Sequence, residues 1–269
     1  MNDQSRPRSY SKIFAWALLP LILIATAGVW FGTERSVLRL PKAVAAEMSQ
    51  DEFEQRVRNY LLEHPEVIAD AINRLQERQA QQDTAQVTAE LKAHADEVFR
   101  DPDSPVGGNP EGDVTLVEFF DYNCPYCRQM APVMTQAETD DPQLRIVYKE
   151  LPILGPNSVF AAKAALAADK QGKYVAFHRA LFQLRGPLDE GKVLEAAVTV
   201  GLDVDRVKAD MKDAAVDGAL DKTGKLAQAL QITGTPGFVV GDQLMTGATD
   251  LSTLQALIGK ARGGQQEAK

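Results

Sequence analysis

Apolar and polar positions change rhythm several times along the chain. The first run, "SKIFAWALLPLILIATAGVWFGTER", carries no charge between Lys12 and Glu34. An apolar stretch of roughly 20 residues spans a bilayer as a helix. Arg6, Arg8 and Lys12 precede it and Trp16 and Trp30 sit near its ends, a pattern that keeps the N-terminus in the cytoplasm. We therefore expect a cytoplasmic tail and transmembrane anchor over 1–34. The alternative is a signal peptide cut near "AVAA" at 43–46, although such peptides carry an apolar region of only about 7–15 residues. Both readings place the chain after residue 35 outside the cytoplasm.

Residues 35–46 read as a linker, and the rhythm then becomes helical. Ser49 with Glu52 three residues later offers a capping box, and Phe53, Val57, Tyr60 and Leu61 follow at helical spacing. Pro65 interrupts this pattern and suits the first turn of a new helix. From Glu66 to about Arg100 apolar positions recur at Ile68, Ile72, Leu75, Val87, Leu91 and Val98, with a glutamine-rich gap in the middle. Such thinly apolar helices cannot form a core alone. The extension over 47–100 must pack on the main domain, on a copy of itself, or stay mobile; self-association as a homo-oligomer is our expectation.

"DPDSPVGGNPEGD" at 101–113 marks a linker and turn region. "VTLVEFF" (114–120) then reads as a buried strand and "LRIVYKEL" (144–151) as the next. A helix opens at Pro125 between them, and a long, mostly helical stretch continues to about Gly224. "TPGFVVGDQLMTGA" reads as two short strands around Gly241-Asp242, and a final helix begins near Asp250. Strand–helix–strand, a helical block, then strand–strand–helix predicts a small mixed α/β sheet covered by helices.

Composition narrows the chemistry. The net charge of −8 argues against a nucleic-acid partner, which needs a concentrated basic surface. Both cysteines of the chain lie in "EFFDYNCPYCRQM", as Cys124 and Cys127. A zinc site needs about four ligands, and the three histidines, His64, His94 and His178, are scattered. A static staple closing so short a loop removes little chain entropy. A redox pair fits better than either. At a strand–helix junction the first sulfur sits at a helix N-terminus, where backbone amides and the dipole favour thiolate. Cys124 is then the nucleophile and good leaving group, and Cys127, one turn deeper, the resolving thiol. Pro125 stiffens the ring and Tyr126 adds an uncharged aromatic face. Met130 and Met134 on the following helix read as core packing.

The motifs "VEFFDYNCPYC" and "TGTPGFVVGD" resemble the DsbA-type thioredoxin-fold proteins over roughly 104–262. The resemblance implies a thioredoxin fold with a helical insertion at about 156–222, within a domain spanning 101–262. It also implies that Cys124 forms mixed disulfides with substrate and that Glu118 is a buried acid relaying a proton to Cys127; an edge-of-strand surface carboxylate is the alternative for Glu118. Thr235-Pro236 matches a loop whose proline is cis and faces the cysteines, an ordinary trans turn being the alternative. That loop would pair with extended peptide by strand addition. "YLLEHPEVIADAINRLQERQ" ahead of the domain resembles the suppressor-of-copper-sensitivity protein C branch, which includes oligomeric members. DsbA has histidine at the position of Tyr126, so the couple here is expected to be less oxidising.

No cofactor or metal is implied. The resulting expectation is a thiol–disulfide oxidoreductase, an isomerase or oxidase (less readily a reductase), acting on exported proteins with cysteines. It would be recharged by a membrane redox partner, either quinone-linked or a thiol reductase, and would lie anchored in the inner membrane with its catalytic domain in the periplasm. The alternative function is a membrane-tethered, non-catalytic peptide-binding module or holdase.

Overall fold

A computed structural model describes residues 48–267. The expected anchor over 1–34 and the linker over 35–46 lie outside the described residues. Among the described residues no helix is long and apolar enough to cross a membrane. The described residues divide after Tyr60, and the body that carries the sheet begins at Leu61.

Helix α1 (Gln50–Glu63) starts where Ser49 accepts the Glu52 amide at 3.3 Å. Only half of the expected capping box forms, because the Glu52 carboxylate pairs with Arg56 at 2.7 Å instead. Helix α2 (Glu66–Ala93) begins just after Pro65, as the missing donor of proline requires. A short α3 (Ala95–Phe99) follows. The apolar stripe of α2 divides by position: Leu91 is buried and Val87 partly so, whereas Ile68, Ile72 and Leu75 are exposed.

The sheet has five strands in the order β1-β3-β2-β4-β5. β2 (Val114–Phe120) and β3 (Leu144–Glu150) run parallel across α4 (Pro125–Asp140). β4 (Gly237–Val240) pairs antiparallel with β2 and is joined to the antiparallel edge strand β5 (Gln243–Thr246) by a two-residue hairpin turn. Gly241 turns it at φ +59°, a conformation open to glycine. The final helix α10 (Leu251–Glu267) is capped by Asp250, whose carboxylate accepts the Thr253 amide at 2.8 Å.

One strand was not expected. β1 (Val106–Gly108) pairs antiparallel with β3 inside the Pro- and Gly-rich segment read as a linker. Three residues carry no readable alternation, and Gly107 is required because the Tyr148 ring lies where a Cβ would go. The long helical stretch resolves into α5 (Pro156–Asp169), α6 (Tyr174–Gln183), α7 (Glu190–Thr199), α8 (Val204–Asp210) and α9 (Ala214–Ala229). Gly172, Gly186 and Gly201, all at positive φ, separate the first four.

Both faces of the sheet are covered, which explains why β2 reads as a continuous apolar run. Leu116, Phe120, Ile146, Phe238 and Val240 pack with α4, the insertion and α10. Val117, Phe119, Val147 and Val239 pack with Leu91, Val98, Leu226 and Leu230 on the other side. Lys149 is buried on that second face. Its ammonium donates to the Glu97 carbonyl at 2.6 Å, Ser104 at 2.7 Å and Asp101 at 3.0 Å. This cluster fastens the end of the helical extension to the sheet.

Candidate functional site

Strand β2 ends at Phe120, and three residues turn the chain into α4. The Cys124 amide closes this turn on the Asp121 carbonyl at 3.0 Å, and the Arg128 amide makes the first helical bond to the Cys124 carbonyl at 3.1 Å. Cys124 is therefore the N-cap residue, extended at φ −73° and ψ 122°, and Pro125 occupies the first helical position without losing a needed donor. Both thiols are free in this structure. Tyr126 points outward and is 60% exposed.

The Thr235–Pro236 peptide bond is cis, and its loop reaches the cysteines. The Cys124 thiol donates to the Thr235 carbonyl oxygen at 3.2 Å. The threonine hydroxyl favours the thiolate of Cys127, so one residue addresses both sulfurs with different groups. Cys127 is fully buried. Burial pushes its thiol well above the usual range; the Asp121 amide pulls down, the Glu118 carboxylate pushes up and the Thr235 hydroxyl pulls down.

Glu118 lies between Leu116 and Phe120 on β2, so strand alternation aims it at the α4 face. It is 2% exposed, which excludes the surface alternative. Desolvation raises its carboxyl to about 8. The structure thus brings together Cys124, Cys127, Glu118 and Thr235-Pro236, with Pro125 and Tyr126 in the first turn of α4 between the two cysteines.

Several groups near the cysteines carry no sequence signal of their own. Asp121 and Tyr122, inside "FFDYNC", are buried. Tyr122 donates to Glu150 at 3.0 Å and lies 3.1 Å from His178 Nδ1, and Tyr174 donates to the same Glu150 oxygen at 2.7 Å. Burial raises Glu150 and drives His178 down to about 3, leaving the imidazole neutral. This set joins α6 to the sheet. Arg128 donates to the carbonyls of Phe182, Leu184, Tyr122 and Gly186, fastening α4 to the insertion. Met130 is core, as expected, and its sulfur also accepts the Thr249 amide at 3.3 Å. Among the described residues no three His, Cys, Asp or Glu side chains gather as a metal set.

Comparison with known proteins agrees with this geometry. Residues 115–259 match the DSBA-like thioredoxin domain, and residues 50–82 match the N-terminal domain of the copper resistance protein ScsC. A Na(+)/H(+) antiporter, NhaA 1 of Salinispora arenicola, is 35% identical over 169 residues, covering 61% of this chain. That match takes in only 26% of the antiporter, so the chain spans about a quarter of such relatives. The thiol:disulfide interchange protein DsbA of Bordetella parapertussis is 27% identical over 150 residues, 53% of this chain and 70% of its own length. Among solved structures, a thioredoxin-like oxidoreductase from Silicibacter pomeroyi is 50% identical, with a TM-score of 0.61 over 62% of this chain and 97% of its own. A linker-deletion mutant of ScsC from Proteus mirabilis is 27% identical, with a TM-score of 0.62, 83% of this chain and 99% of its own. The chain belongs to the DSBA-like thioredoxin family and carries the N-terminal domain found in ScsC proteins.

Proposed function

We propose that the chain is a protein thiol–disulfide oxidoreductase acting on exported proteins, with Cys124 and Cys127 as its redox pair. The observation that carries this reading is the placement of Cys124 at the N-cap of α4, its thiol against the Thr235 carbonyl, with the raised acid Glu118 beside buried Cys127. In the oxidising direction a substrate thiolate attacks Cys124 of the Cys124–Cys127 disulfide. A mixed disulfide forms, the intramolecular S–S bond breaks, and Cys127 leaves as thiolate and takes a proton from Glu118. A second substrate thiolate then releases Cys124, so the substrate loses two electrons and the pair gains them. The reverse sequence reduces a substrate disulfide, and the two in succession isomerise it.

Apolar surface near the pair supports a polypeptide substrate. Ile153 and Leu154, 49% and 50% exposed, follow β3, and Tyr126 stands beside Cys124. An open groove of about 480 Å³ runs along Leu151, Ile153, Ala227 and Ile232 to Thr233, two residues from Thr235. Exposed Phe53 and Val57 on α1 and Ile68 and Ile72 on α2 support self-association, and with it the isomerase direction. Anchoring by 1–34, with the catalytic domain in the periplasm and a membrane redox partner, completes the reading.

The test combines the reduction potential of the pair with refolding of a scrambled disulfide substrate. Activity in that refolding, lost in Cys124→Ala, supports the isomerase. Oxidation of reduced substrate without unscrambling moves the reading to an oxidase. Retention of all function by Cys124→Ala overturns it in favour of the peptide-binding module.

A further inference from the structure

Asp121 meets the active-site turn through three different groups. Its carbonyl accepts the Cys124 amide at 3.0 Å. Its own amide pulls down the Cys127 thiol that burial pushes up. Its buried carboxylate accepts three hydrogen bonds, from the Ser158 hydroxyl at 2.7 Å, the Asn123 amide at 2.8 Å and the Leu154 amide at 2.9 Å.

Asn123 closes the arrangement. Its side-chain amide donates to Ser158 Oγ at 3.1 Å, and its side-chain oxygen accepts the Leu188 amide at 2.8 Å. Ser158 is fully buried in the first turn of α5, Leu154 lies in the loop before the insertion, and Leu188 in the α6–α7 loop within it. A single acceptor suffices to cap a turn, and a buried carboxylate with no counter-cation is a costly choice for packing alone. One donor lies within the turn and two come from outside it, Leu154 after β3 and Ser158 in α5, which over-determines the turn that carries Cys124.

We propose that Asp121, acting with Ser158, is a positioning residue for thiol–disulfide exchange: it holds the Cys124 turn against the helical insertion so that the reactive sulfur stays at the amide end of α4. The proposal rests on Cys124 being the exchanging thiol. The influence of a helix terminus fades within its first turn, so a loosened turn moves the reactive sulfur off the amide end of α4 before it unfolds anything. Because the insertion supplies the Ser158 hydroxyl, its docking and the reactivity of Cys124 are coupled.

The experiment compares the parent with Ser158→Ala and Asp121→Asn, using Val98→Ala as a control that opens a cavity on the opposite sheet face. Three quantities are measured: the rate of Cys124 alkylation by iodoacetamide at neutral pH, the equilibrium with glutathione, and the thermal midpoint. We expect Ser158→Ala to slow alkylation roughly tenfold, the scale on which sub-ångström misplacement acts. The glutathione equilibrium should shift towards the protein disulfide, with a larger effect in Asp121→Asn. Val98→Ala should lower the midpoint and leave both thiol readouts at parent values. If Asp121→Asn does not fold, Ser158→Ala decides alone. Parent-like alkylation and equilibrium in Ser158→Ala, or equal changes in Val98→Ala, overturn the proposal and leave the oxidoreductase reading intact. A parent that never exchanges with glutathione overturns both.

Discussion

The thiol of Cys124 donates to the backbone carbonyl of Thr235 at 3.2 Å, across 111 positions of sequence. The same residue lends its hydroxyl to Cys127, so the two contacts are separable by mutation. Thr235→Val removes only the hydroxyl. Losing one hydrogen bond to a thiolate weakens it by about 1 kcal/mol, or roughly fivefold. We expect Cys124 alkylation to stay at the parent rate while mixed disulfides with substrate persist several times longer. Quenched time courses read by mass spectrometry measure both.

Glu118 sets a pH dependence of stability whose sign follows from its burial. Its carboxyl titrates at about 8 in the folded chain and near the ordinary glutamate value when unfolded. Between those values the folded state holds a proton that the unfolded state has released. Stability therefore falls as pH rises from about 4.5 to about 8. Glu118→Gln should flatten this limb, with denaturant midpoints equal to the parent below the window and higher above it. It should also slow release of substrate from Cys124 by about a hundredfold if the acid relays the proton. An unchanged release rate would leave Glu118 as a buried acid without that role.

Breaking the buried cluster around Lys149 should cost more than any surface substitution. Desolvation alone would raise the Asp101 carboxyl, but Lys222 and Lys149 together hold it down at about 2. Lys149→Met leaves Asp101 buried with Lys222 as its remaining cation, and a loss of about 3 kcal/mol is expected in denaturant unfolding. In the parent, the contribution of Asp101 is present above pH 4 and disappears as pH falls towards 2. That acid limb should be shallower in Asp101→Asn.

Light scattering on residues 48–267 should give a multiple of the monomer mass. Replacing Ile68 and Ile72 with glutamate should return it to one copy without changing the reduction potential. A monomeric parent fragment would remove self-association from the functional reading.

The outline of the site was readable because its signals are local. A β-branched run ending in CPYC specifies a strand–helix junction, and Gly-Thr-Pro before another strand specifies the returning loop. Glu118 was readable as the buried acid through the resemblance, and its burial at 2% exposure in the α4 face of β2 removes the surface alternative. Asp121, Tyr122, Glu150 and His178 were opaque. Each is a common residue type whose meaning comes from partners 24 to 56 positions away, distances over which spacing carries no information. β1 was missed because three residues between glycines and prolines cannot show a period.

The Lys149 cluster, together with buried Leu91 and Val98, has a mechanical consequence. It ties α3 to the sheet that leads to Cys124, and Leu91 brings in the C-terminal end of α2, a helix of 28 residues or about 40 Å at 1.5 Å per residue. A load on exposed Ile68 and Ile72 therefore reaches the catalytic body only through the far, buried end of that helix.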